Sequence, residues 1–118
     1  MPKVYLQKIN NKDMAVEIST DQDFNEIINS GQPVAVKYFA GWCGSCKLFS
    51  PKFKRLSNDE RFEGIRFLDV DAEKNESARK LAGVDNLPFI AIFKDGKLVE
   101  GSATSKEEMV VGMLEKLK

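Results

Sequence analysis

Apolar residues recur along the chain with two different periods, which separate strands from helices. The segment "PVAVKYFA" (33–40) is nearly continuously apolar, the pattern of a strand buried on both faces. "IRFLDVD" (65–71) alternates as a strand does. "PFIAIF" (88–93) and "KLVEG" (97–101) flank the turn sequence "KDG" and are expected to form a hairpin.

Two segments in the middle of the chain show helical spacing. The first runs from about residue 44 to residue 56 and contains Pro51, which predicts a kink because proline cannot donate a backbone hydrogen bond. The second is "KNESARKLAG" (74–83), which Gly83 is expected to stop. Each of these helices follows a predicted strand.

The first and last helical segments carry capping signals. Thr20 is expected as the N-cap of the first helix, and Gly31 lies where its C-cap belongs. The last helix is expected to begin at Thr104 or Ser105, with a glutamate at 107 or 108 completing a capping box. These signals predict helices over most of 20–31 and 104–117.

Before the first helix, "VYLQKI" (4–9) and "MAVEI" (14–18) are expected to be extended pieces joined by a turn. From "MAVEI" onward the order of elements is β-α-β-α-β-α-β-β-α. Such alternation predicts an α/β fold with a mixed, largely parallel sheet and helices on both faces. A chain of 118 residues suits one domain, 1–118.

Composition excludes several classes of function. Lys plus Arg and Asp plus Glu both number 18, so neither a nucleic-acid partner nor an acidic solvating role is indicated. No apolar run approaches the roughly 18 residues of a membrane-spanning helix, and "MPKVYLQKIN" lacks the apolar core of a signal peptide. We therefore expect a cytoplasmic protein without membrane contact.

Only two cysteines are present, Cys43 and Cys46, at the junction between the buried strand and the next helix. A helix N-terminus stabilises a thiolate at Cys43 and so lowers the pKa of that thiol, while Cys46 is expected to lie deeper and to be less exposed. This asymmetry suits thiol–disulfide exchange. A zinc site would need two further ligands, and the chain has no histidine and no third cysteine, so only carboxylates or a second chain could supply them.

The segment "FAGWCGSCK" resembles the active site of thioredoxins, whose usual form is W-C-G-P-C-K. Pro51 lies five residues after Cys46 as that family's kink proline does, "NLPF" is similar to its cis-proline loop at Pro88, and "FKDGKLV" to its penultimate hairpin. The order of strands and helices agrees from about Thr20 to Lys118, which leaves residues 1–19 as a variable start.

The resemblance implies a thioredoxin fold and a protein disulfide oxidoreductase that acts mainly as a reductant. Cys43 would be the nucleophile and Cys46 the resolving thiol, supported by Trp42, Gly44, Ser45, Lys47, Lys37 and Pro88. Trp42, Leu87, Pro88, Phe89 and Gly101 would form a groove for an extended substrate strand. No metal or organic cofactor is implied beyond the cysteine pair. Protein disulfides are the expected substrates, a thioredoxin reductase is a candidate electron donor, and a monomer is expected.

Three positions depart from the thioredoxin pattern. Ser45 replaces the proline between the cysteines, which frees a backbone N–H that could bond the thiolate and is expected to make the disulfide more oxidising. Phe89 is bulkier than the common threonine, and the hairpin reaches the last helix early, so Gly101 could stand in for the family's substrate-loop glycine. An ordinary core phenylalanine and a plain turn glycine are the alternatives at these two positions.

The third departure is Lys37, which stands where thioredoxins usually carry a buried acid beneath the cysteines. A buried lysine must be paired or neutralised, and Asp69 on the neighbouring predicted strand is a candidate partner. A charge held there would favour the Cys46 thiolate. Alternatively, the stem of Lys37 packs in the core and its head reaches water.

Two other functions stay open at this point. One is a specialised family member with few partners and no general reductase. The other is a thioredoxin-fold binding module whose cysteines act only as a redox sensor. A glutaredoxin-like function is less well supported, because "WCGSCK" lacks the tyrosine-containing pair motif of that family.

Overall fold

The structure is a computed structural model that describes residues 16–118, so the predicted strand at 4–9 and the first two residues of "MAVEI" lie outside the described part. Five strands form one sheet: β1 (Val16–Ile18), β2 (Val34–Phe39), β3 (Arg66–Asp71), β4 (Phe89–Lys94) and β5 (Lys97–Ala103). Four helices accompany them: α1 (Phe24–Ile28), α2 (Gly44–Ser57), α3 (Glu76–Ala82) and α4 (Glu107–Glu115), with a short 3-10 turn at Glu60–Phe62.

The strand order across the sheet is β1-β3-β2-β4-β5. β3 runs parallel to both β1 and β2, while β4 is antiparallel to β2 and to β5. The expected mixed sheet is therefore confirmed, but it is not largely parallel, since two of its four described strand pairs are antiparallel. The hairpin turn at Asp95 and Gly96 has the two positive φ angles of a tight two-residue connection.

Helices cover both faces of the sheet. On one face α1 and α3 pack against alternate residues of β2, such as Val36 and Tyr38, in the first hydrophobic cluster. On the other face α2 and α4 pack against Ala35 and against β4. Because successive side chains of a strand point to opposite faces, Lys37 lies on the same side as Ala35, facing α2.

The first and last helices, α1 and α4, begin later than their capping signals predict. α1 starts at Phe24 rather than after Thr20, because residues 20–23 form a separate turn in which the Asp23 and Phe24 amides donate to the Thr20 carbonyl. The Asp23 carboxylate closes that turn by accepting from the Ser19 hydroxyl and the Thr20 amide. α1 also ends at Ile28, ahead of Gly31.

The predicted start of the last helix is wrong by two or three residues. Thr104 still belongs to the exit from β5, since its amide donates to the Pro88 carbonyl at 3.1 Å. Its hydroxyl accepts from the Lys106 amide, so the chain turns once more before α4 begins at Glu107. No capping box forms at this N-terminus, whose N-cap residue is Lys106.

Candidate active site

The cysteine pair lies where β2 ends and α2 begins. The chain leaves β2 at Phe39, and the Cys43 amide donates to the Ala40 carbonyl at 3.1 Å, which closes the intervening turn. Cys43 is the N-cap residue of the 14-residue helix α2, and the Cys46 amide donates to Cys43 Sγ at 3.2 Å. The helix thus directs at this sulfur a backbone N–H that has no partner within the helix, as the sequence predicted.

A disulfide joins Cys43 to Cys46. The expected difference in exposure is small in this oxidised form, because Cys43 is 4% and Cys46 2% exposed. Ala40 and the cysteines form a small cluster against which Leu87 packs, and this packing covers the sulfur atoms. Cys46 is thus slightly less exposed than Cys43, as expected, but both cysteines are buried in the disulfide.

The residues around the pair differ in what they contact. Gly44 opens α2, and both Gly44 and Lys47 are exposed. Ser45 brings its hydroxyl to 3.5 Å from Cys43 Sγ, whereas the backbone N–H that reaches this sulfur is that of Cys46. The donor expected from the freed Ser45 amide is thus replaced by a side-chain contact.

Trp42 is 70% exposed, and its ring nitrogen Nε1 donates to Glu73 Oε2 at 2.7 Å. Glu73 was not among the predicted site residues. The turn after β3 places it there, since the Glu73 amide donates to the Asp71 carboxylate at 3.0 Å. An exposed ring held by one hydrogen bond is available for contact with a protein partner.

The Leu87–Pro88 peptide bond is cis, as the resemblance predicted. Both residues line a cavity of about 380 Å³ with Ser45 on one side and the segment from Ala103 to Lys106 on the other. Ser45 connects this cavity to the dithiol. The sequence did not predict that residues of the β5–α4 connection line this cavity, although it showed that the connection is short.

Two predicted groove residues do not line this cavity. Phe89 is only 5% exposed and belongs to the hydrophobic cluster beneath β4, so it is a core residue. Gly101 lies within β5, paired with Ala91, and a Cβ there would meet the Phe89 ring at 2.8 Å. Gly101 is thus a packing glycine in a strand. Trp42 also lies outside this cavity and flanks the dithiol beside Glu73.

Lys37 is buried beneath the dithiol, with its side chain 3% exposed. Its ammonium group lies 3.3 Å from Asp69 Oδ1 and donates to the Ser50 hydroxyl, which in turn donates to the Cys46 carbonyl at 3.1 Å. The pairing with Asp69 is therefore confirmed, and a head that reaches water is excluded. The β2–β3 register explains it, since Lys37 and Asp69 are direct neighbours across the two strands.

Asp69 is the titratable group most affected by this arrangement. Burial raises the pKa of the Asp69 carboxyl, and the nearby Lys37 ammonium offsets part of that rise. Among the described residues, Asp69 Oδ1 accepts no hydrogen bond of regular geometry, and the Lys37 ammonium 3.3 Å away is its ion-pair partner. A carboxylate with free acceptor capacity thus lies close to Cys46.

Comparison with known proteins identifies the family. The thioredoxin family model matches residues 15–116, so the chain belongs to the thioredoxin family. It is 40% identical over 86 residues to thioredoxin Asp f 29 of Aspergillus fumigatus, covering 71% of this chain and 78% of that protein. It is 37% identical over 93 residues to a thioredoxin of Chlamydia muridarum, covering 79% and 88%.

Solved structures agree. A chain in the complex of ferredoxin:thioredoxin reductase with thioredoxin f2 superposes with a TM-score of 0.79 at 27% identity, covering 86% of this chain and 94% of that one. The family and the Cys43–Cys46 disulfide together define a thiol–disulfide oxidoreductase with a thioredoxin fold. Its redox group is its own cysteine pair.

Residues 16–118 contain no group of three or more His, Cys, Asp or Glu side chains placed to hold a metal ion. Over the same residues, no helix is both long and apolar enough to cross a membrane.

Proposed function

We propose that the protein reduces disulfides in other proteins, with Cys43 as the attacking thiol and Cys46 as the resolving thiol. The observation that carries this assignment is the hydrogen bond that the Cys46 amide donates to Cys43 Sγ at the N-terminus of α2. A backbone N–H and a positive helix end both favour the anionic form of Cys43, which is the nucleophile in thiol–disulfide exchange.

The reaction then proceeds in two exchanges. The Cys43 thiolate attacks one sulfur of the substrate disulfide, and the other sulfur leaves as a thiol. Cys46 next attacks Cys43 Sγ, which releases the second substrate sulfur and forms the Cys43–Cys46 disulfide. Two electrons pass from the dithiol to the substrate.

The substrate segment is proposed to lie in the cavity lined by Ser45, Leu87 and Pro88. This cavity is open to solvent, reaches the dithiol segment at Ser45, and is also lined by residues of the β5–α4 connection. Trp42 would contact the partner on the other side of the cysteines, because its ring is largely exposed. Gly44, the first residue of α2, and the exposed Lys47 are proposed to have the supporting roles that the resemblance implies.

A thioredoxin reductase is the proposed electron donor. The support is indirect, from the structural similarity to a chain in a complex of thioredoxin f2 with ferredoxin:thioredoxin reductase. A cytoplasmic location is proposed on the sequence alone, since a reducing compartment keeps such a pair in its dithiol form.

Trapping tests the roles of the two cysteines. Cys46→Ser should accumulate mixed disulfides with protein substrates on Cys43, because the resolving step is removed. Cys43→Ser is the matched control and should trap far fewer. Equal trapping by the two variants would contradict the assignment.

Disulfide reduction in insulin, followed by turbidity, tests the breadth of the activity. Turnover with dithiothreitol and with a thioredoxin reductase supports a general reductant. Turnover with dithiothreitol alone would contradict the proposed electron donor and favour a specialised member. The absence of turnover with either would contradict the proposed reductase activity.

A further inference from the structure

We propose that the Asp69 carboxylate accepts the proton of the Cys46 thiol when Cys46 resolves the mixed disulfide. This inference rests on the proposed function, because it requires that Cys46 be the resolving thiol. It assigns the proton transfer to a residue on β3.

The first observation is a cavity that both groups share. A cavity of about 180 Å³ is lined by Cys46, Asp69, Lys37 and Ser50, together with Lys47 and Phe39. This volume is large enough to hold water, and the polar lining gives water several hydrogen-bond partners. Water in this shared cavity would connect Cys46 Sγ to the Asp69 carboxylate and carry the proton between them.

The second observation is the free acceptor capacity of Asp69. Its buried oxygen Oδ1 accepts no hydrogen bond from the described residues. The Lys37 ammonium 3.3 Å away compensates its charge, and the oxygen keeps lone pairs that can accept a proton. A proton-accepting role gives such an oxygen a function.

The third observation is that the surroundings hold Asp69 in place and connect it to solvent. The Lys37 ammonium lies 3.3 Å from Oδ1 and is fixed from the opposite side by Ser50. The side chain of Asp69 is 27% exposed, so a proton taken from Cys46 can pass to bulk water. Lys37 thus acts as a positioning residue for the base.

The electrostatic setting fits this task. Burial raises the pKa of the Asp69 carboxyl towards that of a thiol, which makes it a better base. The charged groups that line the two cavities bordering Asp69 are Lys37, Lys47 and Lys54, all cations. Across the sheet on β1, Ile18 is opposite Asp69 and carries no charge. No second acid among the described lining residues competes for the proton.

The step balances as follows. The Cys46 Sγ–H proton passes to the Asp69 carboxylate, and the resulting thiolate attacks Cys43 Sγ. The bond between Cys43 and the substrate sulfur breaks, and the substrate leaves as a thiolate that takes a proton from water. The substrate disulfide is the oxidant, and the dithiol is the reductant.

Stopped-flow reaction of the reduced protein with excess dithiobis(nitrobenzoate) separates the two exchanges. The first release of thionitrobenzoate reports attack by Cys43, and the second reports resolution by Cys46. We expect Asp69→Asn to slow the second release at least about 10-fold near neutral pH, given the usual contribution of general-base catalysis. The first release should stay within about 2-fold, and the pH profile of the second should shift to that of an unassisted thiol, near 8.5.

Three controls make the test specific. Asp95→Asn makes the same change in the exposed hairpin turn, at a residue that lines neither cavity beside the dithiol, and should leave both releases unchanged. Asp69→Glu keeps the carboxyl group and should restore part of the rate. Asp69→Ala opens space, so added formate should accelerate its second release.

An Asp69→Asn variant with an unchanged second release and pH profile would overturn the proposal. If Asp69→Asn does not fold, the double variant Lys37→Met with Asp69→Asn removes both charges, and its second release must show the same loss. If Cys43→Ser kept the first release, the proposed cysteine roles would fail and the role of Asp69 with them. If Cys43→Ser abolished the first release but Asp69→Asn left the second unchanged, the role of Asp69 alone would fail.

Discussion

Replacing Lys37 by methionine removes the cation of the buried pair and keeps most of the aliphatic stem. The ammonium group of Lys37 lies among the rings of Phe39 and Phe53, 5.8 and 5.7 Å from their centroids, and its polar partners are Asp69 and Ser50. Methionine can fill this space, so packing should change little. The main consequence is that Asp69 loses its compensating charge.

Removing one partner of a fully buried ion pair costs about 3–5 kcal/mol. The side chain of Asp69 is 27% exposed, so water screens part of this loss. We expect the free energy of unfolding of Lys37→Met to fall by about 2–4 kcal/mol near neutral pH. Lys37→Met with Asp69→Asn leaves no uncompensated charge and should recover much of that loss.

The effect should depend on pH. Burial raises the pKa of the Asp69 carboxyl, and Lys37 opposes that rise, so the pKa should rise further in Lys37→Met. A carboxyl with a raised folded-state pKa destabilises the fold when ionised, and this cost disappears as the pH falls through that pKa. The stability difference between wild type and Lys37→Met should therefore shrink on acidification.

Urea unfolding followed by circular dichroism, with the disulfide intact, measures these differences near pH 7 and about pH 4.5. The reasoning is refuted if the single variant loses equal stability at both pH values. It is also refuted if the double variant is as unstable as Lys37→Met.

Two further predictions concern Gly101 and Ser45. Gly101→Ala should lower stability by about 1–3 kcal/mol, because its Cβ would lie 2.8 Å from the buried Phe89 ring. Gly112→Ala is the matched control, because the added Cβ at this helical position meets no atom within 4 Å beyond its own helix backbone and chain neighbours. It should raise stability by about 0.5–1 kcal/mol. Equal shifts in the thermal unfolding midpoints of the two variants would contradict this account. Ser45→Pro removes a hydroxyl 3.5 Å from Cys43 Sγ and should make the disulfide more reducing in a glutathione redox titration, and an equal or higher potential would count against that role.

The sequence was sufficient to predict the site where it carried local signals. A buried strand followed directly by a helix locates Cys43 and Cys46, and the turn sequence "KDG" locates the hairpin. The cis bond at Pro88 came from the family resemblance, since nothing in local propensity favours it strongly. Asp69 was identified as a candidate ion-pair partner of Lys37 because the two residues lie on neighbouring predicted strands.

What the sequence could not supply depended on side-chain packing between distant segments. Gly101 looked like a loop glycine, but a register irregularity at Ile92 and Phe93 and the extension of β5 to Ala103 place it within the strand. Nothing in the sequence indicated that the Ser50 hydroxyl would accept a hydrogen bond from Lys37, although Ser50 lies one helical turn after Cys46. These contacts follow from how α2 lies across the sheet.

The β2–β3 register explains how an acid can serve the cysteines from another strand. Parallel pairing sets Lys37 directly beside Asp69, so both side chains border the same cavity beneath Cys46. At the position where the resemblance to thioredoxins led us to expect an acid, this chain has a lysine, and the neighbouring strand carries a carboxylate. The length of the lysine lets its ammonium reach Ser50 as well, which ties the pair to the Cys46 carbonyl. Exchanging the residue types at positions 37 and 69 should therefore preserve the charge pair while altering its contact with Ser50.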